Sequence, residues 1–181
     1  YPISPSTEIA QSLDMMGVNG KHDIQLIAAD GEHSAAGICF GAATTGARVF
    51  NATSANGLMF MLEQLPVQSN TRFPMVMNLV NRAVSGPLNI HCDHSDMYFA
   101  LNAGWIMFTS SNPQAVYDLN IIALKVAEDK AVRLPAMVCY DGYITSHQKH
   151  NVHIFEDVQD VRDFVGVVDR DAHHYIGDHD K

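Results

Sequence analysis

The chain has 181 residues, 47% of them apolar and 17% charged, enough for one domain with a substantial core and too apolar for a disordered chain. Its formal net charge of −9 argues against nucleic acid as the main partner, because phosphate-binding surfaces are basic. No apolar run reaches the roughly 18–20 residues that a membrane span needs, and the polar opening shows no signal peptide, so a cytoplasmic protein is expected.

In chain order, Ser4 is the expected cap of a first helix that has Pro5 at its first position and runs to about Gly17. Ile24–Ala28 reads as a short buried strand. Glu32 to Thr45 reads as a helix built largely of Ala and Gly, with Gly46 placed for a left-handed stop. A brief strand is expected over Val49–Ala52, then a helix from Asn56 to about Gln64 that Pro66 ends. Pro74–Leu79 reads as a buried strand. An irregular stretch from Asn81 to Asp96 follows, and loops of that length in compact domains are usually functional or disordered. Trp105–Thr109 reads as a strand, and Asn112 as the cap of a helix from Pro113 to about Lys130 with apolar residues at Val116, Leu119, Ile122, Ala123 and Val126. Ala136–Tyr140 is the last expected strand and Glu156–Val165 a surface helix.

Short apolar strands separated by helices predict an α/β fold, a mostly parallel sheet with helices on both faces. Ligands in such folds bind beyond the carboxyl ends of the strands. Ser4, Glu32, Ser54, Arg82 and Asp141 all fall at or just past those ends.

Of the chemistry-bearing residues, Glu32 stands at the mouth of a helix of small residues. It either complements the macrodipole there or holds a ring nitrogen of a flat ligand against a close-packed backbone, and both readings stand on the residues alone. Arg82 follows a buried strand and opens a stretch with no acid until Asp93. Its guanidinium fork suits a carboxylate ligand, while a solvated surface charge is the plainer alternative. In Asn51–Gly57 (NATSANG), Ser54 and Asn56 are either a cofactor or neighbour contact or an ordinary helix start. The run Cys92–Asp96 (CDHSD) matches no strong metal-ligand spacing, so no metal site is expected there; Asp93 or Asp96 is expected to cap backbone N–H groups. The His- and Asp-rich stretch from Asp169 to Lys181 reads as a surface tail.

The three cysteines, Cys39, Cys92 and Cys139, are odd in number and far apart, which fits reduced thiols. No C-x-x-C-x-x-C run exists to hold an iron–sulfur cluster, so any cluster must sit on another chain or segment. There is also no phosphate-binding G-x-x-x-x-G-K-[ST] loop, no G-x-S-x-G elbow, and no G-D-G…N segment of the magnesium-diphosphate kind.

Five runs, YPISPSTE (Tyr1–Glu8), GEHSAAGICFG (Gly31–Gly41), NATSANG, NRAVSGPLNIHCDHSD (Asn81–Asp96) and DGYITSH (Asp141–His147), together resemble the pyruvate:ferredoxin oxidoreductase family, in the family's order and from Tyr1 to about Gly166. The likeness is greatest to alpha-type subunits and their thiamine-diphosphate pyrimidine-binding domain. It implies oxidative decarboxylation of a 2-oxoacid, most often pyruvate, to acyl-coenzyme A with electrons passed to ferredoxin. A branched or aryl 2-oxoacid, or a non-catalytic assembly subunit that keeps the fold, is the alternative.

The resemblance further implies that Glu32 binds the aminopyrimidine and favours its imino tautomer, that Arg82 binds the substrate carboxylate, and that Ser4, standing where the family has Thr, points its hydroxyl at the substrate. Ser54 and Asn56 would contact the cofactor. Thiamine diphosphate would be shared with a partner subunit or domain that holds its diphosphate and magnesium. A cluster-bearing partner and ferredoxin would take the electrons, with coenzyme A as acyl acceptor. The expected division is a pyrimidine-binding domain over residues 1–166, lacking a first strand that the family places ahead of Y-P-I-T-P, and a tail over 167–181.

Overall fold

Among the described residues, four strands, β1 (Phe50–Thr53), β2 (Val76–Asn81), β3 (Ile106–Ser110) and β4 (Ala136–Asp141), form one wholly parallel sheet in the order β1-β2-β4-β3. This computed structural model describes residues 1–84, 86–87, 89–90 and 93–168. The register pairs Val76 with Phe50 on one side and with Ala136 on the other, and Ile106 with Ala136. The central strands read VMNLVN and AMVCYD, near-continuous apolar runs of the kind that a strand covered on both faces requires.

Alternation along these strands sends two sets of side chains to opposite faces. Met77, Leu79, Met137 and Cys139 pack with Leu58, Met61, Leu65 and Trp105 under α2 (Glu32–Thr44), α3 (Ala55–Met61), α4 (Gln64–Asn70) and α5 (Ser95–Phe99). Val76, Val80, Ala136, Val138 and Tyr140 face Ala123 and Ala127 of α6 (Pro113–Glu128), with Ile9 of α1 (Thr7–Val18) alongside. Each fully buried Leu or Met contributes about 1.5–3 kcal/mol. Two amides meet in the second layer, Asn78 of β2 and Asn120 of α6, and satisfy each other by reciprocal bonds at 2.9 and 3.1 Å. Two short elements, α7 (Ile144–His147) and α8 (Val158–Val165), follow β4 among the described residues.

The parallel α/β architecture agrees with the expectation, as do several boundaries. Gly46 takes φ +79 just past α2, and the Asn112 side chain accepts from the Ala115 N–H at 2.9 Å to cap α6. Four expectations need correction. Ile24–Ala28 is not a strand: residues 23–29 lack regular structure, and Ile24 and Ile27 are 57% and 62% exposed. A strand needs a ladder partner, and among the described residues none pairs with this segment. The first helix begins at Thr7, not Pro5. Ser6 is at the cap position, its hydroxyl donating to the Ile3 carbonyl at 2.7 Å, which leaves Ser4 outside the helix. Pro66 does not end the helix that starts near Asn56. That helix stops at Met61, and Pro66 lies in the first turn of α4, where its missing N–H costs nothing. Finally, the irregular stretch ends in a short helix, α5, already begun at Ser95.

Burial beneath α2–α5 pushes the Cys139 thiol up to about 12, with the nearby Asp96 carboxylate adding to the shift. At pH 8 that leaves a thiolate fraction on the order of 10⁻⁴, and the thiolate is the reactive form. Iodoacetamide at pH 8 is therefore expected to spare Cys139 until the chain is unfolded. Peptide mapping by mass spectrometry checks this, and rapid labelling of the native chain would contradict the packing.

Candidate functional site

Because all four strands run the same way, their carboxyl ends share one edge, and the residues just past them meet there. Arg82 leaves β2 and is 5% exposed. Its Nη1 donates to the Ser4 carbonyl at 2.8 Å and its Nη2 to the Asn56 Oδ1 at 3.4 Å. Three residues separated by long stretches of chain, Ser4, Asn56 and Arg82, are thus joined. The Arg82 Nε is buried with no partner among the described residues. No carboxylate among those residues pairs with its guanidinium either. A buried cation whose contacts are all neutral oxygens is costly unless an anion completes it.

Glu32 opens α2 behind an extended Gly31. It is 7% exposed, and its carboxylate makes no hydrogen bond among the described residues. Gly57, in the first turn of α3, packs against it: a Cβ there would lie 2.9 Å from Glu32 Oε1 and 2.5 Å from Thr53 Oγ1. Gly57→Ala is expected to cost about 1–3 kcal/mol of stability, because the nearest atom is the Oγ1 of fully buried Thr53, which has no room to yield, and to push the Glu32 carboxyl away from the edge. Thermal unfolding checks this: Tm should fall, and an unchanged Tm would mean that Thr53 and Glu32 both give way.

Two hydroxyls sit between these groups. Thr53 and Ser54 are fully buried, and each oxygen lacks a partner among the described residues. Ser54 occupies the cap position of α3, where its carbonyl accepts from the Gly57 N–H at 2.8 Å but its hydroxyl makes no cap bond, and full burial keeps that hydroxyl away from the exposed surface where Asn56 stands. An orphaned buried hydroxyl costs about 1–3 kcal/mol, and such a cost calls for an explanation. Ser4 itself is exposed, and its role toward Arg82 is played by its carbonyl.

The acids nearby are structural in their contacts. Asp93 accepts from the Ser95 N–H at 2.5 Å, and its hydrogen bond with the Ser95 side chain holds it below the usual carboxylate range. Asp96 is fully buried. Burial pushes its carboxyl up, while bonds from Asn81 and the backbone N–H groups of Ala55, Arg82 and Met97 work against that shift. Cys92 and the stretch 169–181 lie outside the described residues. Asp141 Oδ1 accepts the N–H groups of Tyr143, Ile144 and Thr145. Gly142 beside it is required by closeness: a Cβ would sit 2.3 Å from the Asn81 carbonyl oxygen and 2.8 Å from Pro5 Cγ. That contact seats the Ser4–Pro5 turn against the end of β2.

The sequence by itself singles out Glu32, Arg82, Ser4, Ser54 and Asn56. It passes over Thr53 and Gly57, although both stand in the same NATSANG run, and it assigns Asp96 no more than a capping role.

Comparison with known proteins bears on this edge. A family model described as pyruvate flavodoxin/ferredoxin oxidoreductase, thiamine diphosphate-binding, matches residues 1–177. Pyruvate synthase subunit PorA of Thermotoga maritima is 44% identical over 92% of this chain and 42% of its own length. Ketoisovalerate oxidoreductase subunit VorA of Pyrococcus abyssi is 45% identical over 81% of this chain and 37% of its own. The chain thus spans about two fifths of the length of the curated relatives it matches. Among solved structures, a 2-oxoglutarate:ferredoxin oxidoreductase from Magnetococcus marinus, with 2-oxoglutarate, coenzyme A and succinyl-CoA bound, superposes with TM-score 0.71 at 25% identity, covering 81% of this chain and 26% of that one.

Proposed function

Since the chain belongs to the pyruvate flavodoxin/ferredoxin oxidoreductase family, we propose that it is the pyrimidine-binding part of an enzyme that oxidatively decarboxylates a 2-oxoacid, pyruvate foremost, to acyl-coenzyme A and passes the electrons to ferredoxin. The observation that carries this reading is the buried Arg82 guanidinium with no carboxylate partner among the described residues, on the same strand-end edge as the unbonded Glu32 carboxylate.

Thiamine diphosphate fits the donors present. Glu32 offers an unoccupied carboxylate oxygen to a ring nitrogen, Gly57 leaves the backbone beside it bare, and Thr53 and Ser54 hold hydroxyls without partners among the described residues. When bound, the cofactor supplies a nucleophilic carbon for the 2-oxo group and a sink for the electrons freed with carbon dioxide. Glu32 Oε1 holds a proton at the pyrimidine ring nitrogen and so sets the tautomer. The Arg82 fork holds the substrate carboxylate through charge-assisted bonds. The Ser4 hydroxyl reaches the substrate oxo or carboxylate oxygen, and Asn56 borders the cofactor, with the buried Ser54 behind it.

In this reading residues 1–166 make up the pyrimidine-binding domain. The diphosphate and its magnesium are held by a partner subunit or domain, and iron–sulfur clusters on another partner relay electrons singly to ferredoxin. Free thiols at Cys39 and Cys139 suit a cytoplasmic enzyme. The ketoisovalerate relative, matching at the same level of identity over a shorter stretch than the pyruvate one, supports a second reading: the same chemistry on a branched 2-oxoacid. Purifying the full-length protein with its partners and assaying coenzyme A-dependent ferredoxin reduction over a panel of 2-oxoacids tests both. Pyruvate should give the highest kcat/KM. A branched acid in first place would move the assignment to the second reading, and thiamine-independent turnover, or none, would overturn both.

A further inference from the structure

We infer that Asp96 is the positioning residue of this site: its buried carboxylate locks the Arg82 backbone and the start of α3 into one geometry, and thereby sets affinity for the substrate carboxylate. The inference rests on the function proposed above for the identity of that ligand.

The Asp96 carboxylate collects four N–H donors from three segments. Oδ2 accepts from the backbone of Ala55 at 3.0 Å and of Arg82 at 3.1 Å. Oδ1 accepts from Asn81 Nδ2 at 2.6 Å and from the Met97 backbone at 2.8 Å. An ionised carboxylate has about four acceptor positions and no donor, so its capacity is filled. One side chain thus ties the end of β2, the entry to α3 and the entry to α5.

The entry to α3 needs such a tie. Ala55 has φ +43, the left-handed region in which a residue with a Cβ is held at a cost of about 1–2 kcal/mol. Conformations of that kind persist only where the surroundings over-determine them, and they concentrate at functional sites. The N–H that Asp96 holds is that of Ala55 itself, and the next residue, Asn56, receives the Arg82 fork. Arg82 is therefore fixed twice by Asp96, at its own backbone and through the neighbour that meets its tip. An amide at position 96 cannot substitute. Its single oxygen can serve either the Ala55 and Arg82 pair or the Asn81 and Met97 pair, and its NH₂ then faces N–H donors on the other side.

The test uses the assembled full-length enzyme in three forms: unvaried, Asp96→Asn, and the exchange pair Asn81→Asp with Asp96→Asn. In the pair, the amide introduced at position 96 can turn its oxygen to Ala55 and Arg82 and donate its NH₂ to the carboxylate introduced at position 81, so that of the four donors only the Met97 N–H loses its acceptor. The single variant should lose about 10²-fold in kcat/KM for pyruvate, as misplacement by about an ångström does, mostly through KM, and backbone amide exchange at Ala55 and Arg82 should quicken. The pair should regain most of both. Unchanged KM in the single variant, or exchange that quickens equally across the sheet, would overturn the positioning role and leave Asp96 a fold residue. Should the single variant not assemble, the pair decides: near-normal KM with protected Ala55 and Arg82 amides supports the inference, and raised KM with those amides protected overturns it. If the unvaried enzyme turned over no 2-oxoacid, the proposed function would fall. Exchange at Ala55 and Arg82 in the same samples would still decide whether Asp96 locks those two segments.

Discussion

Glu32→Gln in the assembled enzyme should slow hydrogen–deuterium exchange at the thiazolium C2 by about 10²–10⁴-fold, the span that a positioned acid or base contributes. The size of the effect follows from what the side chain does not do in the fold. Its carboxylate accepts no hydrogen bond among the described residues, yet it is 7% exposed and backs onto the bare backbone of Gly57. The amide has the same shape, so packing survives, and the loss of charge at the N-terminus of α2 should move stability by no more than about 1 kcal/mol. What is lost is a group able to share a proton with a ring nitrogen. NMR of C2 exchange with bound cofactor reads the step directly, and an unchanged rate at saturating cofactor would remove Glu32 from the chemistry.

Arg82→Lys carries the second large effect. The guanidinium makes two bonds within the chain, to the Ser4 carbonyl and to Asn56, and still has a buried Nε to spare. An ammonium is a point charge without the planar fork, so it cannot keep both bonds and grip a carboxylate in two-point fashion. Losing one charge-assisted bond to substrate, worth about 1.5–3 kcal/mol, corresponds to roughly a 10- to 150-fold loss of kcat/KM, expected mainly as a higher KM. Steady-state kinetics with pyruvate checks it. An unaltered KM accompanied by a lower Tm would mean that Arg82 only staples Ser4 and Asn56 to the end of β2.

Much of the fold was legible because its determinants are local. The apolar runs of β2 and β4, Gly46 after α2 and Asn112 before α6 each act over a few residues, through burial on both faces, a φ that glycine tolerates and a side-chain cap. Ile24–Ala28 misled for the complementary reason. Its composition suits a strand, but pairing depends on a neighbouring edge that the local residues do not specify. Ser4 misled because the helix starts two residues later, behind a Ser6 whose hydroxyl turns back to Ile3, and the contact of Pro5 with Gly142 involves a residue far along the chain. At the site, Glu32 and Arg82 were visible inside contiguous runs. The role of Asp96 was not, since its donors Ala55 and Arg82 lie 41 and 14 residues away.

By itself, then, the order of residues determined which groups are available to this edge: one carboxylate on a helix of small residues, one guanidinium after a buried strand, and the short runs around them. It took the folded sheet to bury Arg82 without a carboxylate partner among the described residues, to press Gly57 against Glu32, and to bring the N–H groups of Ala55 and Arg82 to one aspartate. The difference is one of range. Capping, periodicity and glycine tolerance act along the chain, whereas burial, charge pairing and close approach depend on what the parallel sheet brings to its carboxyl end.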